Sequence, residues 1–133
     1  MSTMILEIVT PERKVYEKEV SMVVVKGVEG ELGILPNHIP FVTPLQIAPL
    51  RAKYDGGEDM IAVNSGFMEV RKDKVVVLAE TAELPGDIDE KRAQSAKERA
   101  EKRLQAKEDN SIDMRRAEIA FKKAMNRLRV KGR

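Results

Sequence analysis

Apolar and polar positions follow two different periods along this chain, and the change falls at Glu83-Leu84-Pro85-Gly86. Ahead of it the runs are short and of period two, the signature of strands. Met4–Val9 predicts a first strand, closed by Thr10-Pro11. Lys14–Val20 alternates, with Val15 and Val20 as inward positions. Residues 22–25 form a continuous buried-type run, and 41–47 predict another strand. Residues 52–54 and 60–63 flank Asp55-Gly56-Gly57, a hairpin signal. Residues 66–70 and 74–78 flank Arg71-Lys72-Asp73, a second hairpin. Short strands at regular spacing with frequent turns predict an antiparallel β-sandwich.

Beyond Gly86 the period becomes helical. Asp87-Ile88-Asp89-Glu90 fits a capping box, with Asp87 as cap and Glu90 reaching back. About 20 strong helix formers follow, with Ala93, Ala96, Ala100 and Leu104 on one face. Glu108-Asp109-Asn110-Ser111 is a break. A second helix is predicted over 112–130, its apolar stripe being Met114, Ala117, Phe121, Ala124, Met125 and Leu128. The chain thus reads as α+β: a sandwich over 1–84 and a two-helix unit over 85–133. The helix faces are rich in alanine. A buried methyl contributes only ~0.8 kcal/mol against ~1.5–3 for a buried Leu or Phe. Each helix also exceeds the ~12–15 residues below which isolated helices are marginal. Such a hairpin fits a static appendage or a conformational switch whose arms stay helical on separating.

Composition narrows the chemistry. With three Phe, two Tyr and no Trp in 133 residues, the core has to come from Val, Ile, Leu, Met and Ala. The absence of cysteine excludes disulfides, thiolate metal sites and a cysteine nucleophile. No apolar run approaches the ~20 residues of a transmembrane helix, and residues 1–10 lack the pattern of a signal peptide. Charge is divided unevenly. Residues 87–133 hold 15 of the 24 Lys and Arg and 9 of the 22 Asp and Glu, net +6, which leaves 1–86 at −4. A basic second part suits an acidic partner or a solvated helical surface.

The most distinctive stretch is 30–44, Gly-Glu-Leu-Gly-Ile-Leu-Pro-Asn-His-Ile-Pro-Phe-Val-Thr-Pro. Pro36 presets φ for the corner of a turn and Asn37 suits the next position. Pro40 and Pro44 belong at strand ends or on an edge. The single histidine, His38, reads as a turn or interface residue rather than a metal ligand. Glu31-Leu32-Gly33-Ile34-Leu35-Pro36-x-His38 closely resembles the signature of the ε subunits of the bacterial F-type ATP synthase. The resemblance extends from Val9-Thr10-Pro11 to Met125-Asn126-Arg127-Leu128. It implies a sandwich of about ten strands and a C-terminal helical hairpin.

No recognisable catalytic motif stands out, although composition leaves a Ser-His-Asp arrangement around His38 open. The sequence has no P-loop, no dinucleotide fingerprint, no His-Glu-x-x-His and no nucleophile elbow. Ile88-Asp89-Glu90-Lys91-Arg92-Ala93 is the one small constellation. On its own terms Asp89 and Arg92 make an intrahelical pair worth a few tenths of a kcal/mol. It also resembles the Ile/Leu-Asp-x-x-Arg-Ala motif with which Bacillus-type ε subunits bind ATP. That resemblance implies an ATP site at Ile88, Asp89, Arg92 and Ala93, joined by Glu83, Arg99, Lys123 and Arg127, with Mg²⁺ as a possible companion. Position 123 departs from the pattern: it holds Lys where relatives have Arg, and Lys lacks the bidentate fork. No base is placed for hydrolysis, so such a site would sense ATP.

Three readings compete. The resemblance implies a non-catalytic rotor subunit at the cytoplasmic face of the bacterial plasma membrane, peripheral and reaching the membrane only through the complex. Its partners would be the γ subunit and the c-ring, contacted through Glu31 and His38. An extended hairpin would reach the α/β ring, meeting an acidic segment of β through Arg115, Arg116 and Lys122 and blocking ATP hydrolysis. The second reading is a nucleic-acid-binding module using the basic hairpin. Against it, Glu98, Glu101 and Glu118 interrupt the basic residues and stacking aromatics are missing. The third is a standalone enzyme, which lacks a recognisable catalytic set.

Overall fold

A computed structural model describes residues 2–106 and 113–132 of the chain. Eight strands come first: β1 (Met4–Val9), β2 (Lys14–Val20), β3 (Met22–Gly27), β4 (Gly30–Ile34), β5 (Phe41–Leu45), β6 (Ala48–Tyr54), β7 (Gly57–Val70) and β8 (Lys74–Glu83). A 3-10 turn over Pro85–Asp87 leads to α1 (Glu90–Gln105), and α2 (Met114–Lys131) follows. The predicted break at Glu108 to Ser111 lies outside the described residues.

The strands form a continuous sheet in the order β2-β1-β8-β7-β5-β3-β4, with β6 bridging β3 and β7. Pairing is antiparallel except for β1 and β8, which run parallel from Ile5↔Lys74 to Val9↔Leu78. Eight strands appear rather than about ten because β7 and β8 are long. β7 pairs with β6 through its first half and with β5 through its second. Stretches 60–63 and 66–70, read as separate strands, are therefore one. Its bend falls at Ser65 and Gly66, both at positive φ (67° and 150°). That bend lets the sheet fold over its core, where Leu6, Ile8, Val23, Ile34, Leu50, Ile61, Met68, Val75 and Val77 are almost fully buried. A Cβ at position 66 would collide with the Leu78 carbonyl oxygen and crowd the Ala79 backbone. Gly66→Ala is expected to destabilise the sandwich by about 2–4 kcal/mol through strain and backbone clash. Equilibrium denaturation measures it, and a change under about 0.5 kcal/mol would contradict this account of the bend.

The turn after β4 follows its sequence chemistry. The His38 amide donates to Leu35 O at 3.2 Å, and Asn37 takes a φ of 68°. Pro36 at the corner followed by a left-handed residue makes a type II turn. The wall between β2 and the β6–β7 hairpin is held by Asp59. It accepts from Tyr16 Oη at 2.7 Å, Lys18 Nζ at 2.9 Å and Tyr54 Oη at 3.1 Å, while Lys18 lies 4.1 Å from the Tyr54 ring centroid. Burial works to raise the Asp59 pKa, but the bonds from Lys18, Tyr16 and Tyr54 outweigh it and leave it below its ordinary 3.8. Burial, then Asp59 itself, push the Tyr16 phenol upward, so it stays a donor. A depressed carboxylate stabilises fully above its unfolded pKa and ceases to as pH falls through the folded one. The acid limb of the stability curve should therefore be shallower in Asp59→Asn than in the unmodified chain when melting is followed from pH 6 to pH 2. Superimposable limbs would remove Asp59 from the acid response.

The hairpin lies docked on the sandwich. α2 packs on β6 and β7, and α1 packs on α2. Ala93 and Ala100 are buried on α1, and Ala117, Ala124 and Val130 on α2. Val130 joins Ala62 and Ile88 in a second small core, with Met60 against it. The only buried polar side chains among the described residues, Asn64 (0% exposed) and Asn126 (3%), meet at this junction. Asn126 Nδ2 donates to Val63 O at 3.0 Å and to Asn64 Oδ1 at 3.1 Å. Asn126 Oδ1 has no partner among the described residues.

Candidate functional site

The candidate site is a cavity of about 430 Å³ where the two helices meet the end of the sandwich, lined by Glu83, Asp87, Asp89, Arg92, Ala93, Ala96, Arg99 and Arg127. Each element supplies its part for a local reason. Glu83 ends β8 just before Leu84-Pro85 stops the strand. The helix cap differs from the expectation: Asp87 belongs to the 3-10 turn, and Asp89 is the N-cap of α1. Its Oδ1 accepts from the Arg92 amide at 3.1 Å. Pro85 and Gly86 use up the turn, so the chain enters helical geometry two residues later than the box at Asp87 requires. The cap fixes the first turn of α1, from which Arg92 and Ala93 enter the cavity. Arg99 follows two turns on, and Arg127 arrives from α2.

Arg127 Nε donates to both Glu83 oxygens, at 2.8 and 2.9 Å. Its terminal nitrogens make no hydrogen bond among the described residues. Arg92 and Arg99 likewise have no ion pair among them. Three guanidinium groups with spare donors thus converge on one cavity whose helical wall is two alanines. Planar forks of this kind match phosphate oxygens bidentately. Methyl side chains leave room for a flat ring against α1. The volume lies within the ~300–1,000 Å³ usual for small-molecule sites.

Of the eight residues expected at an ATP site, Glu83, Asp89, Arg92, Ala93, Arg99 and Arg127 line this cavity. Ile88 does not; it is buried beneath it with Ala62 and Val130. Lys123 does not either, since its Nζ donates to Glu80 Oε1 at 3.3 Å outside the cavity. Asp87 and Ala96 line it without having been singled out for it. Ala96 was legible as a member of the alanine face, and Asp87 was read only as a cap.

Two other groups of expected contact residues lie at the surface. Glu31 is 70% exposed and accepts from Arg51 Nη2 at 3.3 Å. His38 Nδ1 is 2.8 Å from Ile39 O, and its ring lies 5.2 Å from that of Phe41. Nearby Val28, Leu35, Ile39 and Val42 are exposed, as are Phe67 and Leu78, which pair across β7 and β8. On α2, Arg115, Arg116 and Lys122 point outward, exposed.

Comparison with known proteins decides the family. Residues 3–85 match the model of the ATP synthase delta/epsilon chain β-sandwich domain, and residues 87–132 match that of its long α-helix domain. The chain belongs to the ATP synthase delta/epsilon chain family. It is 57% identical over 133 residues to the ATP synthase epsilon chain of Halalkalibacterium halodurans, covering 100% of both chains. It is 60% identical over 108 residues to that of Brevibacillus brevis, covering 80% of this chain and 82% of the relative. Among solved structures, a chain of the Euglena gracilis mitochondrial ATP synthase (OSCP/F1/c-ring) superposes with a TM-score of 0.83 at 23% identity. The match covers 100% of this chain and 83% of that one, and at this identity it speaks for the fold. As an epsilon-type member of the delta/epsilon family, the chain is a non-catalytic subunit of the ATP synthase. Among the described residues no helix is long and apolar enough to cross a membrane.

Proposed function

We propose that this subunit regulates the ATP synthase from the central stalk, at the cytoplasmic face of the bacterial plasma membrane, by a hairpin whose docking is sensitive to ATP. The observation that carries the reading is the convergence of Arg92, Arg99 and Arg127, with unspent donors, on a cavity built from both helices and the sandwich. A ligand that uses all three binds the docked hairpin and not the separated one. The triphosphate is taken by the guanidinium groups, and the adenine lies along Ala93 and Ala96 with a carboxylate accepting from its amine. Calorimetric titration of the full chain with ATP, with and without Mg²⁺, tests this. Saturable heat of one ATP per chain is expected, and its absence under both conditions ends the nucleotide reading.

The sandwich provides the stalk contacts in this proposal. Apolar side chains exposed around the 30–44 turn and across β5, β7 and β8 suit a γ-type coiled coil, with Glu31 and His38 beside them and the c-ring at the end of the sandwich. A pull-down at moderate salt should retain γ, and replacing Phe67 and Leu78 together by Ser should weaken it at least tenfold, about 1.4 kcal/mol. Undiminished capture would take the contact off this face. When the hairpin extends along γ, the exposed cations of α2 meet the acidic segment of β in the α/β ring and stop hydrolysis. The nucleic-acid reading gains no support, because Glu98, Glu101 and Glu118 interrupt the cations of the hairpin and no stacking aromatics accompany them.

A further inference from the structure

We infer that Asn126 and Asn64 are positioning residues that couple the docking of α2 to the geometry of the Glu83–Arg127 pair in the nucleotide site. The inference rests on the nucleotide reading proposed above. Two amides whose Nδ2 protons are all spent carry it. Asn126 spends one Nδ2 proton on the Val63 carbonyl and the other on Asn64 Oδ1. Asn64 in turn spends its Nδ2 protons on Thr81 Oγ1 at 2.9 Å and Glu83 Oε1 at 3.2 Å. Reversing Asn126 would set its oxygen against the Val63 carbonyl, and reversing Asn64 would set its oxygen against the Glu83 carboxylate. The network therefore has one orientation, running from α2 through β7 to the carboxylate at the end of β8.

Glu83 is held from two sides. Asn64 donates to it from the sandwich, and Arg127 from the helix one residue beyond Asn126. When α2 leaves, Asn126 and Arg127 go together. Asn64 Oδ1 then loses its donor, and nothing keeps the Asn64 amide turned toward Glu83. The carboxylate loses its setting at the same moment as the guanidinium does. A ligand that needs both in place thereby reads the position of a helix through a buried chain that it does not touch, since neither asparagine lines the cavity.

The chain has no cysteine, which makes a site-directed lock practicable. Lys26 and Arg129 are exposed and line a common groove between the sandwich and α2. Cysteines at both positions, joined by a short bismaleimide, would hold α2 down without touching the site. ATP titration and the distance between spin labels on α2 and the sandwich are then measured for Asn126→Ala and Asn64→Ala, free and locked. Circular dichroism checks that the sandwich is folded. For Asn126→Ala, the labels should separate in the absence of ATP and the affinity should fall about tenfold, recovering to within about threefold on locking. For Asn64→Ala, the affinity should stay about tenfold weaker even when locked, because Glu83 has lost its donor. Unchanged affinity and label distance in Asn126→Ala, or full recovery of Asn64→Ala on locking, overturns the relay. If the unmodified chain binds no ATP, the nucleotide reading fails. The label distances then judge the Asn126–Asn64 contact alone: unchanged docking in Asn126→Ala overturns it.

Discussion

A chain carrying Asp89→Ala and Arg92→Ala is expected to give no ATP binding heat while its sandwich stays folded. Both residues lie beyond Gly86, and the main core is built from residues between Met4 and Ala82 with Leu84 against it. The structure separates the two contributions. Asp89 caps α1, so its loss removes about 1 kcal/mol of helix stability as well as a site carboxylate. Arg92 is capped through its backbone amide, so Arg92→Ala alone removes a phosphate donor and leaves the cap intact. A charge-assisted bond contributes about 1.5–3 kcal/mol, so the single change should weaken binding at least tenfold. Calorimetry on the single and double variants measures both. Heats like those of the unmodified chain from the double variant would move the site elsewhere. The regulatory weight of the site follows from linkage. A ligand that binds only the docked form, at 100 times its Kd, stabilises that form by about 2.7 kcal/mol. The helix faces bury mostly alanine, at ~0.8 kcal/mol per methyl, so in the proposed switch a contribution of that size is enough to decide the hairpin's position.

If the hairpin inhibits as proposed, ending the chain after Asp87 should raise ATP hydrolysis by the assembled enzyme severalfold, while the first core remains whole. A subtler variant asks whether inhibition works by charge. Arg115, Arg116, Lys122 and Arg129 are exposed and make no ion pair among the described residues. Lys123 and Arg127 differ, because they bind Glu80 and Glu83 and help to hold the hairpin down. Changing those two would alter docking and inhibition together, so the charge test uses the first four alone. Replacing all four by Ala should activate hydrolysis nearly as much as the truncation does. Full inhibition by that variant would mean that the bulk of the helix, not its charge, blocks the ring. A truncated chain without effect would remove the hairpin from regulation altogether.

Much of this was readable along the chain because it depends on neighbours in sequence. Strand periodicity, the Pro36-Asn37 turn, the two hairpin signals, the stop at Pro85-Gly86 and the alanine faces are local, and each recurs in the fold. The signature at 30–44 and the Ile88-to-Ala93 motif were sufficient to recognise the family. The misplaced cap shows the limit of local reading. Asp87 and Asp89 are equally good caps by type, and only the path of the turn after β8 chose between them. The continuity of β7 was hidden likewise, since a bend at Ser65-Gly66 looks like a strand end until both halves are seen pairing with β8.

The sequence alone determined the two-part architecture and which residues carry charge, because period and residue chemistry need no tertiary contacts. Tertiary structure decided which of those charges meet. It brought Arg127 from α2 onto Glu83 of β8, sent Lys123 to Glu80 and Ile88 into a core, and set Asn126 against Asn64. These pairs are separated by tens of residues. Their meeting depends on how α2 lies across β6 and β7, a packing geometry set by Ala62, Ile88 and Val130 together and by no one segment of the chain.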